Sequence, residues 1–303
     1  MLKESPWVTV IIPTHNRADM LCRALNSVLN QSFTDFEVIV VDDGSTDNTQ
    51  QTVEAYADPR IRYFKHDESK GASAARNTGI RHAYGKYIAF LDDDDEWAVN
   101  KLAVQVPVIA KSPAEVGLVY AWMEYYRDGK SIGVRAPQLR GNIFVEMLDK
   151  QAISGSPTVI IKREVIDKVG FFDEALTRGN DGDYWRRISR QYEVEYVPEI
   201  LAKIHIGHND RISCDAREGL MNEIIAYEKR LETFKEDFKK HPEKEASIRM
   251  KLGIDYVVIG AIGKGLFNFL QLARCRCSFA LKAWYVLTVC KQMFRRFVHK
   301  VRV

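Results

Sequence analysis

No run of about 18 apolar residues free of charge occurs in this chain of 303 residues, so no classical membrane-spanning helix is expected. Cysteine is sparse: Cys22, Cys214, Cys275, Cys277 and Cys290 form an odd set of five without zinc-ligand spacing. That pattern argues against a disulfide scaffold or a structural zinc cluster and suits a reduced, cytosolic setting. The opening Met-Leu-Lys-Glu-Ser-Pro has no basic leader, apolar core or small-residue cleavage site, so no secretory signal is expected. The Walker phosphate loop and the dinucleotide Gly-X-Gly-X-X-Gly are both missing. Acid is nearly absent from one region only. Residues 249–303 carry eleven Lys/Arg and a single acid, Asp255, a net of +10. The remaining residues hold 33 basic and 40 acidic side chains, a net of −7. An acidic body with a basic tail is not the layout of a nucleic-acid binder, whose cations should flank its site.

What is present is ordinary in bulk, with 46% apolar and 28% charged residues, as in a soluble globular protein. The length allows one large α/β domain plus an appendage. Val8–Ile12 reads as a buried strand closed by Pro13, and residues 18–30 follow with apolar side chains at helical period. Phe36–Val41 is a second buried strand, and Asp47 or Asn48 can cap the helix after it, through Tyr56. Ile61–Lys65 is a third strand, Gly71–Tyr84 a helix and Tyr87–Leu91 a fourth strand. Strands alternating with helices imply a mainly parallel, Rossmann-like sheet flanked by helices. Further on, strands are expected at Gly117–Tyr126, Ser156–Lys162, Val194–Val197 and Ile200–Ile206. Helices are expected at Val165–Asp173 and Asn180–Gln191, with a charged, exposed one over residues 215–239.

Ligands of such sheets gather at the carboxyl ends of the strands. Three polar clusters stand there: Thr14–Arg17, Asp42–Asp47 and Asp92–Glu96. The last is the sharpest feature of the chain, five acids in a row between Phe90-Leu91 and Trp97. Their mutual repulsion calls for relief by a cation, a hydrogen-bond network or a raised pKa. A hard divalent ion that itself holds phosphate oxygens would supply it. A calcium EF-hand loop starting at Asp92 would need Gly and Glu where Trp97 and Ala103 stand, so that reading fails.

The four segments Pro13-Thr14-His15-Asn16-Arg17, Asp42-Asp43-Gly44-Ser45-Thr46-Asp47, Gly71-Ala72-Ser73-Ala74-Ala75-Arg76-Asn77-Thr78-Gly79 and Phe90–Trp97 follow one another in order. Together they resemble the family-two glycosyltransferases with the GT-A fold, over most of residues 7–200. The resemblance implies an inverting enzyme that moves a sugar from a nucleotide donor, UDP-sugar first, to an acceptor hydroxyl. It implies Mg²⁺ or Mn²⁺ as cofactor, a glycan or lipid-linked acceptor, and no nucleic acid as partner. Asp92-Asp93-Asp94 matches the family's Asp-X-Asp. Asp94 is then the metal ligand, with Asp92 or Asp93 on the ribose or on a metal-bound water, and Asp95 and Glu96 behind them or facing solvent. Pro13, Thr14, Asn16, Arg17, Asp42, Asp43 and Arg76 fall to nucleotide-sugar binding. A planar Arg76 guanidinium suits a base edge or a diphosphate. A sugar-1-phosphate nucleotidyltransferase would instead carry a Gly-X-Gly-Thr-Arg loop after the first strand, where Pro13–Arg17 stands.

In the second half, Gly179-Asn180-Asp181-Gly182-Asp183-Tyr184-Trp185-Arg186-Arg187 resembles the family's Glu-Asp helix motif. Asp181 falls on the general base and Asn180 replaces the usual Glu; a slip of two residues would give the role to Asp183. The missing Glu leaves a second class open, a non-catalytic scaffold that binds nucleotide sugar or glycan. His205 or His208 could join the metal site, and His15 reads as a turn residue. Trp97, Trp122 and Trp185 read as core or as sugar-stacking platforms. The expected division is a GT-A domain over residues 1–214 and a helical extension over 215–303, basic and apolar from about residue 249. The tail's cations and aromatics suggest peripheral contact with the inner face of an anionic membrane, or packing on a protein surface.

Overall fold

The computed structural model describes residues 5–207 and 216–275. The chain divides into two compact units, the first running from the start to Asn209 without Leu148–Lys150. In chain order it contains β1 (Val8–Thr14), α1 (Ala18–Leu29), β2 (Phe36–Asp42), α2 (Thr49–Glu54), β3 (Ile61–Lys65) and α3 (Ala72–His82). Next come β4 (Tyr87–Phe90), β5 (Glu96–Trp97), α4 (Lys101–Lys111), β6 (Val116–Arg127), β7 (Lys130–Arg135) and α5 (Phe144–Met147). The unit ends with β8 (Ile160–Lys162), α6 (Glu164–Val169), α7 (Asn180–Ser189) and β9 (Glu193–His205). All nine strands join one sheet in the order β3-β2-β1-β4-β8-β6-β9-β5, with β7 paired to β6. The pairs among β1–β4 are parallel, β8 runs antiparallel between β4 and β6, and β6 and β9 are parallel again. This is the mixed, mainly parallel GT-A sheet.

The two central strands show why it forms. Every residue of β1 and β2 is buried, as in strands covered on both faces. Val8, Val10 and Ile12 lie in one apolar cluster with Leu21, Leu25 and Val28 of α1 and Leu102 and Val106 of α4. Ile11, between them in sequence, lies in the other cluster with Ala75 and Ile80 of α3 and Trp185 of α7. The two-residue alternation of a strand thus feeds two cores. Helix α3 comes so close that a Cβ on Gly79 would stand 2.5 Å from Ile11 Cγ2. That contact helps hold the segment bearing Arg76 against the sheet.

Several expectations need correction. Pro13 does not close β1, which runs on to Thr14. The Pro13 nitrogen faces the β4 side, where pairing stops at Ile11 opposite Phe90, so no ladder bond is lost. Ser156–Lys162 is not one strand: Ser156–Thr158 forms a 3-10 turn with Pro157 in it, and only Ile160–Lys162 is extended. Helix α6 stops at Val169 because Gly170 turns to φ 79°. Val194–Val197 and Ile200–Ile206 are parts of one strand, β9, whose register slips between Val197 and Ile200. Pro198, lacking an N–H, sits in that bulge. Helix α4 forms although Pro107 lies inside it.

The second unit contains Leu148–Lys150 and the helices α8 (Ala216–Thr233), α9 (Lys235–Lys240), α10 (Pro242–Val258) and α11 (Ile262–Arg274). The single exposed helix expected over 215–239 is broken at Phe234, which is buried together with Phe238. Lys244 reaches Asp149 Oδ1 at 3.0 Å, and Lys251 Nζ donates to the Asp149 carbonyl at 3.0 Å. His208 and most of the basic tail lie outside the described residues.

Candidate active site

The loops after β1, β2 and β4 meet at one edge of the sheet. Asn16, at φ 52°, takes a left-handed conformation that asparagine tolerates. From there its amide donates to Ser45 Oγ at 2.8 Å, and its Oδ1 accepts the Thr46 amide at 2.8 Å. His15 Nδ1 donates to the Asp43 carbonyl at 2.8 Å, which makes it a turn residue. Asp47 serves both neighbouring helices, accepting from the Ala18 amide at 3.2 Å and the Thr49 amide at 3.0 Å.

Asp42 and Asp43 do different work. Asp42 is fully buried, accepting the Ser45 amide at 2.7 Å and the Tyr63 hydroxyl. Asp43 takes four donors at 2.7–2.9 Å: His66 Nδ1, Ser69 Oγ and the amides of Lys70 and Gly71. Four donors fill the acceptor positions of a carboxylate. Burial would raise the Asp43 pKa, but those bonds outweigh it and hold the group below its ordinary range. Asp43 therefore shapes the β3–α3 loop, while Asp42 keeps acceptor capacity.

The acidic segment turns tightly, with the Asp95 amide donating to the Asp92 carbonyl at 3.1 Å, and its members part company. Asp95 is buried and accepts the His205 amide at 3.0 Å. Glu96 pairs with Lys203 at 3.0 Å. Asp92, Asp93 and Asp94 instead meet arginines. Arg17 Nη1 lies 2.9 Å from Asp93 Oδ1 and 3.6 Å from Asp94 Oδ2, and Arg23 donates to the Asp94 carbonyl. Burial pushes the Asp93 pKa up to about 6, with the Asp94 charge adding to it and Arg17 and Thr14 opposing. His205 has its Nε2 3.6 Å from Glu96, and burial and the Arg23 charge lower its pKa against the pull of Glu96.

Among the described residues no three His, Cys, Asp or Glu side chains converge into a ready-made metal cage. What the segment offers is hard oxygen on Asp93 and Asp94, in a place where adjacent buried carboxylates already need positive charge. Mg²⁺ is usually held by one or two carboxylates plus substrate phosphates and water. The residues fit an ion whose coordination the nucleotide completes.

Arg76 projects from α3 and is 6% exposed. One nitrogen, Nη2, pairs with Asp92 Oδ1 at 2.6 Å, while Nε and Nη1 are buried without a hydrogen-bond partner. A buried guanidinium with unused donors beside the acidic segment is suited to an anionic ligand. The N-terminus of α3 also meets that of α7: Asn180 Nδ2 donates to Ser73 Oγ at 2.9 Å. The contacts from Asp181 to the acidic segment thus run through Asn180, Ser73 and the helix bearing Arg76. Asp181 is half-buried, accepting the Gly182 amide at 2.6 Å and Gln151 Nε2 at 3.1 Å. Asp183 is buried and locked to Arg187 Nε at 2.8 Å.

The family model described as Glycosyl transferase family 2 matches residues 9–170. The chain belongs to this family.

Its fold is the GT-A fold. WcaA of Escherichia coli K12, named as a colanic acid biosynthesis glycosyl transferase, is 30% identical over 256 residues, covering 79% of this chain and 87% of WcaA. WfgD of Escherichia coli, a UDP-Glc:α-D-GlcNAc-diphosphoundecaprenol β-1,3-glucosyltransferase, is 34% identical over 165 residues, covering 54% of this chain and 63% of WfgD. An uncharacterized glycosyltransferase of Rickettsia conorii is 33% identical over 73% of this chain, which spans only 36% of that relative's length. Two solved structures share the fold. TarS of S. aureus with UDP-GlcNAc has a TM-score of 0.63 at 17% identity, covering 88% of this chain and 90% of that one. The mannosyltransferase PcManGT of Pyrobaculum calidifontis, in complex with GDP-Man and Mn²⁺, has 0.60 at 21%, covering 97% and 83%.

Sequence reasoning missed several residues of this candidate site. Tyr63 and Ser45 hold Asp42, His66 and Ser69 hold Asp43, Arg23 caps the Asp94 carbonyl and Gln151 touches Asp181. Apart from Ser45, none lies in a recognisable motif. Only Ser45, inside the Asp42–Asp47 turn, carried a local signal. Trp97 and Trp185 are buried core residues, and Trp97 Nε1 donates to the Pro157 carbonyl at 2.7 Å; neither offers a stacking face.

Proposed function

We propose that this glycosyltransferase inverts configuration as it moves a sugar from a UDP-sugar to a hydroxyl of a saccharide or lipid-linked glycan, with Asp181 as general base. The observation that carries the reading is the contrast between two neighbouring carboxylates. Asp183 is tied to Arg187, whose Nη1 and Nη2 also hold the Val169 and Phe171 carbonyls at 3.0 and 2.8 Å. Asp181 is half-buried and accepts two hydrogen bonds, which leaves it lone pairs for an acceptor hydroxyl. Asn180, in the place of the family's Glu, ties α7 to Ser73 and accepts the Asp181 amide at 2.8 Å. Its substitution is thereby accounted for without calling on a scaffold that has lost its chemistry.

In this reading Asp42 takes the base or ribose, Arg17 and Arg76 the diphosphate, and Pro13, Thr14 and Asn16 line the nucleotide. Asp43 keeps the β3–α3 loop in place beside it. Asp93 and Asp94 would hold Mg²⁺ or Mn²⁺, with Asp92 or Asp93 touching ribose or a bound water, and the ion would supply charge neutralisation at the diphosphate. Asp181 takes the acceptor proton as the acceptor oxygen bonds to the anomeric carbon. The bond from that carbon to the diphosphate oxygen breaks on the opposite face, and the diphosphate leaves with the electron pair. The UDP-GlcNAc bound by TarS and the UDP-Glc in the name of WfgD support uridine donors, and the Mn²⁺ with PcManGT supports a divalent ion. Undecaprenol-linked glycan in the name of WfgD supports a lipid-linked acceptor, and peripheral work at the cytoplasmic face of a membrane is part of this proposal. The division into a catalytic domain over 1–214 and a helical extension over 215–303 belongs to the same proposal.

A panel of nucleotide sugars with Mg²⁺ or Mn²⁺, read by nucleotide release, identifies the donor. Asp181→Asn should retain donor affinity and lose transfer by roughly a hundredfold or more, the scale of a lost general base. Asp183→Asn should mainly lower stability through Arg187. Transfer that survives Asp181→Asn and disappears in a folded Asp183→Asn protein would move the base by two residues.

A further inference from the structure

Helix α11 has a buried side and a separate, exposed apolar stripe. Gly265, Asn268 and Leu272 are buried, and Leu272 belongs to a small core with Ile254 and Met250 of α10. At 100° per residue a second side carries Ile262, Leu266 and Leu270, flanked by Phe267. These four are 59%, 56%, 59% and 56% exposed. An exposed apolar stripe of this kind calls for cover. No helix among the described residues is long and apolar enough to cross a membrane, so a face of this kind lies along a surface.

Charge selects the surface. Lys264 and Arg274 lie on α11 itself, and residues 276–303 add seven Lys/Arg and no acid. A second copy of this chain seated on the same face would bring the same cations against themselves. An anionic lipid surface attracts every one of them. We propose that the Ile262–Leu266–Leu270 face of α11, with Phe267, inserts into the interface of an anionic bilayer. The basic tail beyond it supplies long-range attraction and the stripe supplies the apolar grip. This gives the proposed membrane contact a defined helix face. It rests on the lipid-linked acceptor only for its biological purpose, because vesicle binding needs no sugar transfer.

The test uses the full chain with vesicles of phosphatidylglycerol and phosphatidylcholine, scored by flotation. Wild type should float with anionic vesicles and much less with pure phosphatidylcholine. Leu266→Glu with Leu270→Glu should weaken that partition about a hundredfold or more, since transferring each leucine from water is worth roughly tenfold or better. Its circular dichroism and UDP-sugar hydrolysis should match wild type. Equal flotation of variant and wild type overturns the proposal, and so does wild type that ignores anionic vesicles. Light scattering separates two further results that also overturn it. A wild-type dimer that the variant dissolves would mean that a second copy covers the face. A monomeric variant melting many degrees lower, with no vesicle binding by wild type, would mean that the chain's own tail covers it. Loss of UDP-sugar hydrolysis in both proteins with flotation intact would count against the catalytic reading alone.

Discussion

Lys101 allows a prediction whose size follows from its surroundings. It opens α4 fully buried, its Nζ has no hydrogen-bond partner, and it lies 4.0 Å from the Trp97 ring centroid. Burial pulls its pKa from 10.5 down to about 7. Between those values the unfolded chain binds a proton that the folded one releases, so stability rises with pH across the window. Below about pH 7 the whole penalty is present, about 5 kcal/mol at about 1.36 kcal/mol per pH unit. The ring contact returns up to about 2 kcal/mol to the desolvated cation, which leaves about 3 kcal/mol. Lys101→Met keeps the stem against Trp97 and removes the amine. The variant should be about 3 kcal/mol more stable than wild type at pH 6. At pH 10 the gap should shrink to about 1 kcal/mol, the cost of a buried neutral amine without a partner. Urea unfolding at pH 6, 8 and 10, followed by tryptophan fluorescence, gives the difference directly. A gap that does not change with pH, or a variant less stable at pH 6, would refute the account of an unpaired buried amine.

Three other outcomes are expected. Arg76→Met should weaken UDP-sugar binding by about tenfold to a hundredfold, the worth of hydrogen bonds from a charged donor, with little change in melting temperature because Asp92 is 33% exposed; calorimetric affinity equal to wild type would remove Arg76 from the site. Asp43 has a lowered folded pKa, so its contribution to stability is present above the ordinary carboxylate range and is lost as pH falls through the folded value. Asp43→Asn should destabilise the protein by about 1–3 kcal/mol at pH 7 and less at pH 3, and an equal loss at both would contradict the four-donor picture. Gly85→Ala would put a Cβ 2.4 Å from the Thr9 backbone nitrogen, and a loss of about 1–3 kcal/mol in chemical unfolding is expected from such overpacking.

The sequence by itself determined the first half of the sheet and the edge at which its polar clusters meet. Apart from Thr9 and Glu37, residues of β1, β2 and β4 are apolar up to the polar clusters that end them, and that local signal marks a strand buried on both faces. Interactions within five or six residues suffice to write it, so Asp42, Asp94 and Arg17 could be marked before any fold was known. The convergence of those clusters followed from parallel strands alone. Tertiary structure decided what each group is free to do. Asp42 and Asp43 are adjacent and alike in sequence, yet His66, Ser69, Lys70 and Gly71, more than 20 residues away, saturate one and not the other. Asp181 and Asp183 part in the same way, through Gln151 at a separation of 30 residues and through Arg187. The later strands were misread for a related reason. The continuity of β9 past Pro198 comes from pairing along β6, and the end of α6 comes from a glycine at positive φ. Residue type sets which chemistry a position can perform. Which of several equivalent carboxylates performs it depends on the hydrogen-bond partners the fold brings up, and most of those come from parts of the chain that no local pattern connects.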